Sequence, residues 1–168
     1  MTRVSHLTRR FFGSLSARSL DEADIAWVRT VLTPAELQLW ATLGRADLVE
    51  SVAVARRAAR ELGPDAEPVW LAAALLHDVG KTEAHLGTFG RVGATLVGVV
   101  MRNGRARNLP NRVGKYLAHD DIGADLLAAG GARREVAAWA AAHHRPERWP
   151  ASGLPPQVAA MLAEADGE

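Results

Sequence analysis

The chain has 168 residues, 48% of them hydrophobic and 23% charged, with a formal net charge of +1 and no cysteine. Length and composition predict one globular domain with a real core, and the balanced charge gives no footprint for nucleic acid or an anionic membrane. Without cysteine, disulfides, thiol nucleophiles and thiolate metal sites are excluded, so any metal must sit on His nitrogen and carboxylate oxygen.

The first twenty residues are basic, with no acid before Asp21. Their composition resembles a transit peptide or an arm for anionic lipid; a plain amphipathic helix or loose arm is the reading preferred here. "SLDE" reads as a capping box with Ser19 as the cap and Glu22 reaching back, and it opens a helix through Trp27, Val28 and Val31. "TPAE" is a second box, with Thr33 capping, Pro34 at the first helical position and Glu36 closing it. A third helix is expected over 47–62, on the stripe Leu48, Val52, Ala55, Ala59 and Leu62.

The segment 68–79 is apolar on every side, which marks a helix buried at the centre of the domain. Gly80 is expected as its left-handed cap. A fifth helix is expected over 92–102, followed by a polar loop over 103–112. Helices over 120–129, 133–144 and 156–166 complete the chain. The apolar run 92–101 is about half the ~20 residues that a membrane-spanning helix needs. Helix signals throughout the chain make the expectation an all-α domain, and the lack of cysteine and of a membrane span fits a cytoplasmic protein. No strand pair, repeat or linker is evident.

The buried fourth helix ends in His77 and Asp78. An unpaired charge there would be very costly, so the carboxylate needs an Arg partner, a solvated helix end or a metal. For that dipeptide alone the bland readings stand first. The rest of the chain changes the balance. His119 opens a helix in "AHDDIGADLL", His143 and His144 close another in "AAAHHRPER", and Asp166 ends "LAEAD". His and carboxylate groups converging from several helices are how helical proteins build dinuclear metal sites, and a bridging carboxylate such as Asp78 could hold two ions that activate water and clamp a phosphate. His6 and His85 lack such surroundings and are read as surface residues.

Taken in order, "LLHDVGK", "HDDIGADLL", the His-His pair and the terminal "AD" resemble the HD-domain metal-dependent phosphohydrolase superfamily, over about residues 45–166. The resemblance implies a helical bundle of the HD type over 45–168, with a helical segment over 1–44 packed on it or preceding it. It implies that His77, Asp78 and Asp166 ligate a first metal, with Asp78 the bridge, and that His119 and His143 ligate a second, with His144 a neighbour or alternate. Lys81 and Arg145 then flank the site; each is a candidate to hold a substrate phosphate, and each also reads as a helix-end cation. "GTFGR", 87–91, is a candidate anion loop, with plain helix entry the preferred reading.

One position departs from the family pattern. Glu50 stands in "LVESVAVARR" where family members carry the first ligating His. Either Glu50 ligates a hard metal and retunes the site, with Asp47 as a substitute, or the first metal site has degenerated. The implied cofactor is one or two divalent ions among Mn, Fe, Mg, Co and Ni. The implied reaction is attack of metal-activated water on a phosphomonoester or phosphodiester, with a phosphorylated, nucleotide-like small molecule as the partner. The alternative is a non-catalytic module of the same fold that binds a nucleotide or a protein.

Overall fold

In the computed structural model, residues 20–84, 111–112 and 117–167 are described. Seven α-helices lie among them: α1 (Glu22–Val31), α2 (Pro34–Trp40), α3 (Arg45–Leu62), α4 (Pro68–Leu76), α5 (His119–Ala129), α6 (Arg134–Ala142) and α7 (Pro156–Asp166). Short 3-10 turns follow α3 at Gly63–Asp65, α4 at Val79–Ala84 and α6 at Pro146–Ser152. No strand occurs among the described residues, and none of their helices is long and apolar enough to cross a membrane. The helix expected over 92–102, the 87–91 loop, His6, His85 and the basic first residues lie outside the described residues.

Helix α4 is the centre of the bundle. It packs against α1, α2, α3, α6 and α7, and Leu71, Ala72, Ala73, Ala74, Leu75 and Leu76 are all buried. A helix apolar on every side can be stable only in such a place, because each face must meet another element. Val28, Val31 and Trp40 of the two leading helices belong to the same core cluster as α4. Arg56 of α3 lies 3.9 Å over the Trp27 ring and 3.3 Å from Asp24, which fastens α1 to α3.

Local chemistry explains the helix ends, with two corrections. At α2 both halves of the capping box are present: the Glu36 amide donates to Thr33 Oγ at 3.3 Å, and the Thr33 amide donates to Glu36 Oε2 at 3.0 Å. At α1 the cap is Asp21, which accepts from the Asp24 amide at 2.8 Å, so Glu22 is the first helical residue and not the reaching partner of Ser19. The chain leaves α4 at His77 and tightens into the 3-10 turn, and Gly80 is not in the left-handed region. Its lack of a side chain is needed for another reason. A Cβ on Gly80 would stand 1.9 Å from the His119 carbonyl oxygen and 2.6 Å from the Gly123 amide nitrogen. Backbone therefore meets backbone where the turn crosses the start of α5.

A buried ion pair ties α2 to the start of α6. Glu36 is fully buried, and its Oε2 accepts from the Arg133 guanidinium at 2.7 Å while its Oε1 accepts from Arg133 Nε at 2.9 Å and the Arg133 amide at 3.0 Å. Burial alone would raise the Glu36 pKa; the bonds from Arg133 and from the Thr33 amide outweigh it and hold the group below its ordinary 4.5. A depressed carboxylate contributes stability that is complete above its unfolded-state pKa and is lost as pH falls through the folded one. Glu36→Gln is therefore expected to lower stability by about 2–3 kcal/mol at neutral pH, with the difference from the parent shrinking below about pH 4. Urea unfolding at pH 7 and pH 3.5 checks this, and an equal loss at both pH values would contradict it.

Candidate metal centre

The ends of four elements meet at one point. Helix α4 delivers His77 as its C-cap and Asp78 next to it, α5 begins with His119, α6 is capped by His143 with His144 following, and α7 ends in Asp166. His77, Asp78, His119, His143 and Asp166 are buried, and His144 is exposed, so the cluster opens to solvent on the His144 side.

Asp78 faces two sets of partners through its two oxygens. Its Oδ2 lies 3.4 Å from His77 Nε2 and also meets the Lys81 ammonium. His77 Nε2 lies a further 3.4 Å from Asp166 Oδ1. Asp78 Oδ1 lies 3.1 Å from His119 Nε2 and 3.9 Å from His143 Nε2. His119 Nε2 in turn stands 3.2 Å from His144 Nε2. The ligand atoms of Asp78, His119, His143 and His144 all lie within 4.8 Å of one another.

Hydrogen bonds behind the rings aim their lone pairs inward. His77 Nδ1–H donates to the Ala74 carbonyl at 2.9 Å, and His143 Nδ1–H donates to the Ala140 carbonyl at 2.8 Å. Each bond fixes the ring and leaves Nε2 as the atom that faces the cluster. The main chain at His143 is held in turn by Trp149, whose indole N–H donates to the His143 carbonyl at 3.3 Å. On the other wall, Arg57 of α3 donates from Nε to the Ala165 carbonyl at 2.7 Å, gripping the end of α7 beside Asp166.

These residues fit a divalent ion. His77 Nε2, Asp78 Oδ1 and His143 Nε2 are buried and meet no hydrogen-bond partner of good geometry among the described residues. Buried polar atoms left this way are expensive unless something else satisfies them. Two ligands of one ion at about 2.1 Å are separated by about 3.0–3.4 Å in octahedral or tetrahedral geometry. The separations of 3.1, 3.2 and 3.4 Å match that span, whereas a charge-assisted hydrogen bond is shorter, about 2.7–2.9 Å.

The protonation states of His119 and His143 suit the same role. Burial, and next the neighbouring His77 and His144, hold the His143 pKa well below its ordinary 6.5. Burial also lowers His119. Both imidazoles are thus neutral at neutral pH, the form that ligates metal. Asp78 is held well below the carboxylate range: burial opposes this, and Lys81 and His77 overcome it. Burial works against a charged His77 too, but Asp78 and Asp166 outweigh it and raise its pKa well above 6.5. The carboxylates at this point therefore draw positive charge, which a divalent ion can supply.

Of the residues singled out in the sequence, His77, Asp78, Lys81, His119, His143, His144 and Asp166 come together here. Glu50 is half-buried on α3, one turn before Val54, and the four-residue cluster does not include it. Val54 lines a small cavity with Ala74, His77, Trp139, His143 and Asp166. Arg145 is not turned to an open site: its guanidinium is bonded to Asp120 and, at 2.9 Å, to Asp121. Asp120 received no role from the sequence. The signal was there in the acid doublet on the first turn of α5, but its partner lies 25 residues away. A family model described as HD domain matches residues 48–167. No curated protein and no solved structure matches the chain.

Proposed function

The chain belongs to the HD domain family, and from that membership and the geometry of the cluster we propose that it is a metal-dependent phosphohydrolase acting on a phosphomonoester or phosphodiester, nucleotide-like in character. The observation that carries the reading is Asp78, a buried carboxylate whose two oxygens face two different groups of His and carboxylate ligands. That is the arrangement a bridging ligand needs. His77, Asp78 and Asp166 would hold one divalent ion, and Asp78, His119, His143 and His144 a second. Glu50 would complete the first set from α3. Such ions, when bound, polarise phosphoryl oxygens and lower the pKa of the attacking water.

The chain's own groups do the rest. The carbonyls of Ala74 and Ala140 hold the two imidazoles in the tautomer that presents Nε2. The core around α4 seals the inner side of the centre against water. Lys81 neutralises Asp78, and on this reading its ammonium would also meet a phosphoryl oxygen brought there. Exposed His144 marks the side from which substrate enters. The ligand mixture of imidazole and carboxylate suits Mn, Fe, Co or Ni better than Mg. A cytoplasmic setting and a small phosphorylated partner belong to the same proposal.

The test combines metal analysis of the purified protein with a phosphatase and phosphodiesterase panel, run in Mn²⁺, Fe²⁺, Co²⁺, Ni²⁺ and Mg²⁺ in turn. Up to two ions per chain and metal-dependent hydrolysis are expected, with Glu50→Ala losing about one ion. Metal-free protein that hydrolyses nothing under any of these ions would leave the non-catalytic module as the reading. Unchanged metal content in Glu50→Ala would remove Glu50 from the ligand set.

A further inference from the structure

We infer that Asp120 and Arg145 form a positioning strap that sets the separation of His119 and His144, and with it the affinity of the centre for its ion. The inference rests on the metal-centre reading above. Asp120 follows His119 in sequence and Arg145 follows His144, so the pair joins the start of α5 to the end of α6 one residue beyond each imidazole. The strap is built on a carboxylate with no exposure to solvent. Asp120 Oδ2 accepts from the Arg145 guanidinium, and Asp120 Oδ1 accepts from the Asp121 amide at 2.9 Å, which fixes the carboxylate on the first turn of α5. The same guanidinium nitrogen donates to Asp121 Oδ2 at 2.9 Å, and Arg148 approaches Asp121 from outside at 3.8 Å.

The two rings held this way have Nε2 atoms 3.2 Å apart, and His119 reaches Asp78 at 3.1 Å. One proton in that gap makes a single N–H···N hydrogen bond between the rings, and a second tie between the same helix ends restricts the rings further. The strap adds to that bond a charge-assisted link between the same two helix ends, one residue beyond each imidazole. Preorganised ligands bind an ion more tightly because less order is lost on binding. Loss of an outer-shell partner typically weakens metal binding about 10–100-fold. This assigns Arg145 to the spacing of ligands, with its Nη2 shared between two carboxylates.

The experiment measures Co²⁺ and Mn²⁺ affinity, by competition with a chelating dye, for the parent, Asp120→Asn, Arg145→Met and the double variant. Each single change is expected to weaken binding about 10-fold or more, and the double variant to be no weaker than the worse single one. Arg145→Lys keeps a charge for Asp120 and should recover part of the loss. Glu36→Gln, which breaks a buried pair of the same kind elsewhere, should lower the melting temperature and leave Co²⁺ affinity unchanged. A nuclear Overhauser contact between the His119 and His144 ring protons, measured on metal-free protein, gives an independent reading. It is expected in the parent and lost in both single variants.

Parent-like affinity and an intact ring contact in Asp120→Asn would overturn the strap. So would an Arg145→Met protein with parent-like affinity and a raised KM for a phosphate ester, which would make Arg145 a substrate contact. Should the parent bind no ion at all, the phosphohydrolase reading fails; the ring contact still decides the strap as a device of geometry.

Discussion

Asp78→Ala is expected to leave the protein without bound transition metal and to reduce any phosphohydrolase rate by about 10³-fold or more. On the proposed reading Asp78 bridges, so its removal would take one oxygen from each of the two ligand sets, and the lost Lewis-acid stabilisation would amount to several kcal/mol. At about 1.4 kcal/mol per decade that is three orders of magnitude or more. The change also leaves the buried Lys81 ammonium without its Asp78 partner. Breaking such a pair from one side costs about 3 kcal/mol. Lost activity could therefore reflect lost fold, so Asp78→Asn, which keeps the volume and one oxygen, is the necessary companion. The two variants should share the metal loss, read as ions per chain by mass spectrometry, while Asp78→Asn keeps more of the helical circular dichroism and melting temperature. Full metal content and rate in Asp78→Asn would show that Asp78 does not bridge.

Gly80→Ala is expected to be as damaging to the centre, for a different reason. In an ordinary helical turn that substitution would stabilise by roughly 0.5–1 kcal/mol, by reducing the freedom of the unfolded chain. Here the new methyl would fall 1.9 Å from the His119 carbonyl oxygen and 2.9 Å from the His119 carbonyl carbon. Neither atom is the end of a flexible side chain. The turn and the start of α5 must part by about 1 Å or more, at a stability cost of about 1–3 kcal/mol. Because His119 rides on α5 and Asp78 precedes the turn, the same displacement pulls apart two groups now 3.1 Å from each other. A misplacement of about 1 Å can cost about 10²-fold in rate. Calorimetry and Co²⁺ titration of the variant read both effects, and the prediction fails if the melting temperature rises and the affinity holds. Gly123→Ala presses the same contact more gently, with its Cβ 3.0 Å from the Gly80 nitrogen.

The helices were legible in the sequence wherever local chemistry decides them. The Thr33–Glu36 box, the buried run of α4 and the helix ending at residue 129 were each readable from residues within a few positions of one another, and they appear in the structure. The gathering of His77, Asp78, His119, His143 and Asp166 was legible through a family resemblance and through their shared place at helix ends. Spacing along the chain could not have shown it, because those ends meet only in three dimensions. The same limit hid the second partner of Glu36: the box uses Thr33, three residues away, while Arg133 is 97 residues away. Gly80 was misread for a related reason. A glycine after a helix suggests a left-handed turn, and only the crossing of α5 over that turn reveals that the missing atom is what matters.

The proposed ligands come from four separate stretches of chain, at residues 77–78, 119, 143–144 and 166. An unfolded chain offers no ready-made set, so whatever free energy an ion gains here is added to the cooperative unfolding of the whole bundle. Fraying of any one helix end cannot release the ion cleanly, because the remaining stretches keep their hold. An ion bound there would act as a rivet: its departure should be slow, and timed by the rare openings that part α4 from α5, α6 and α7 together.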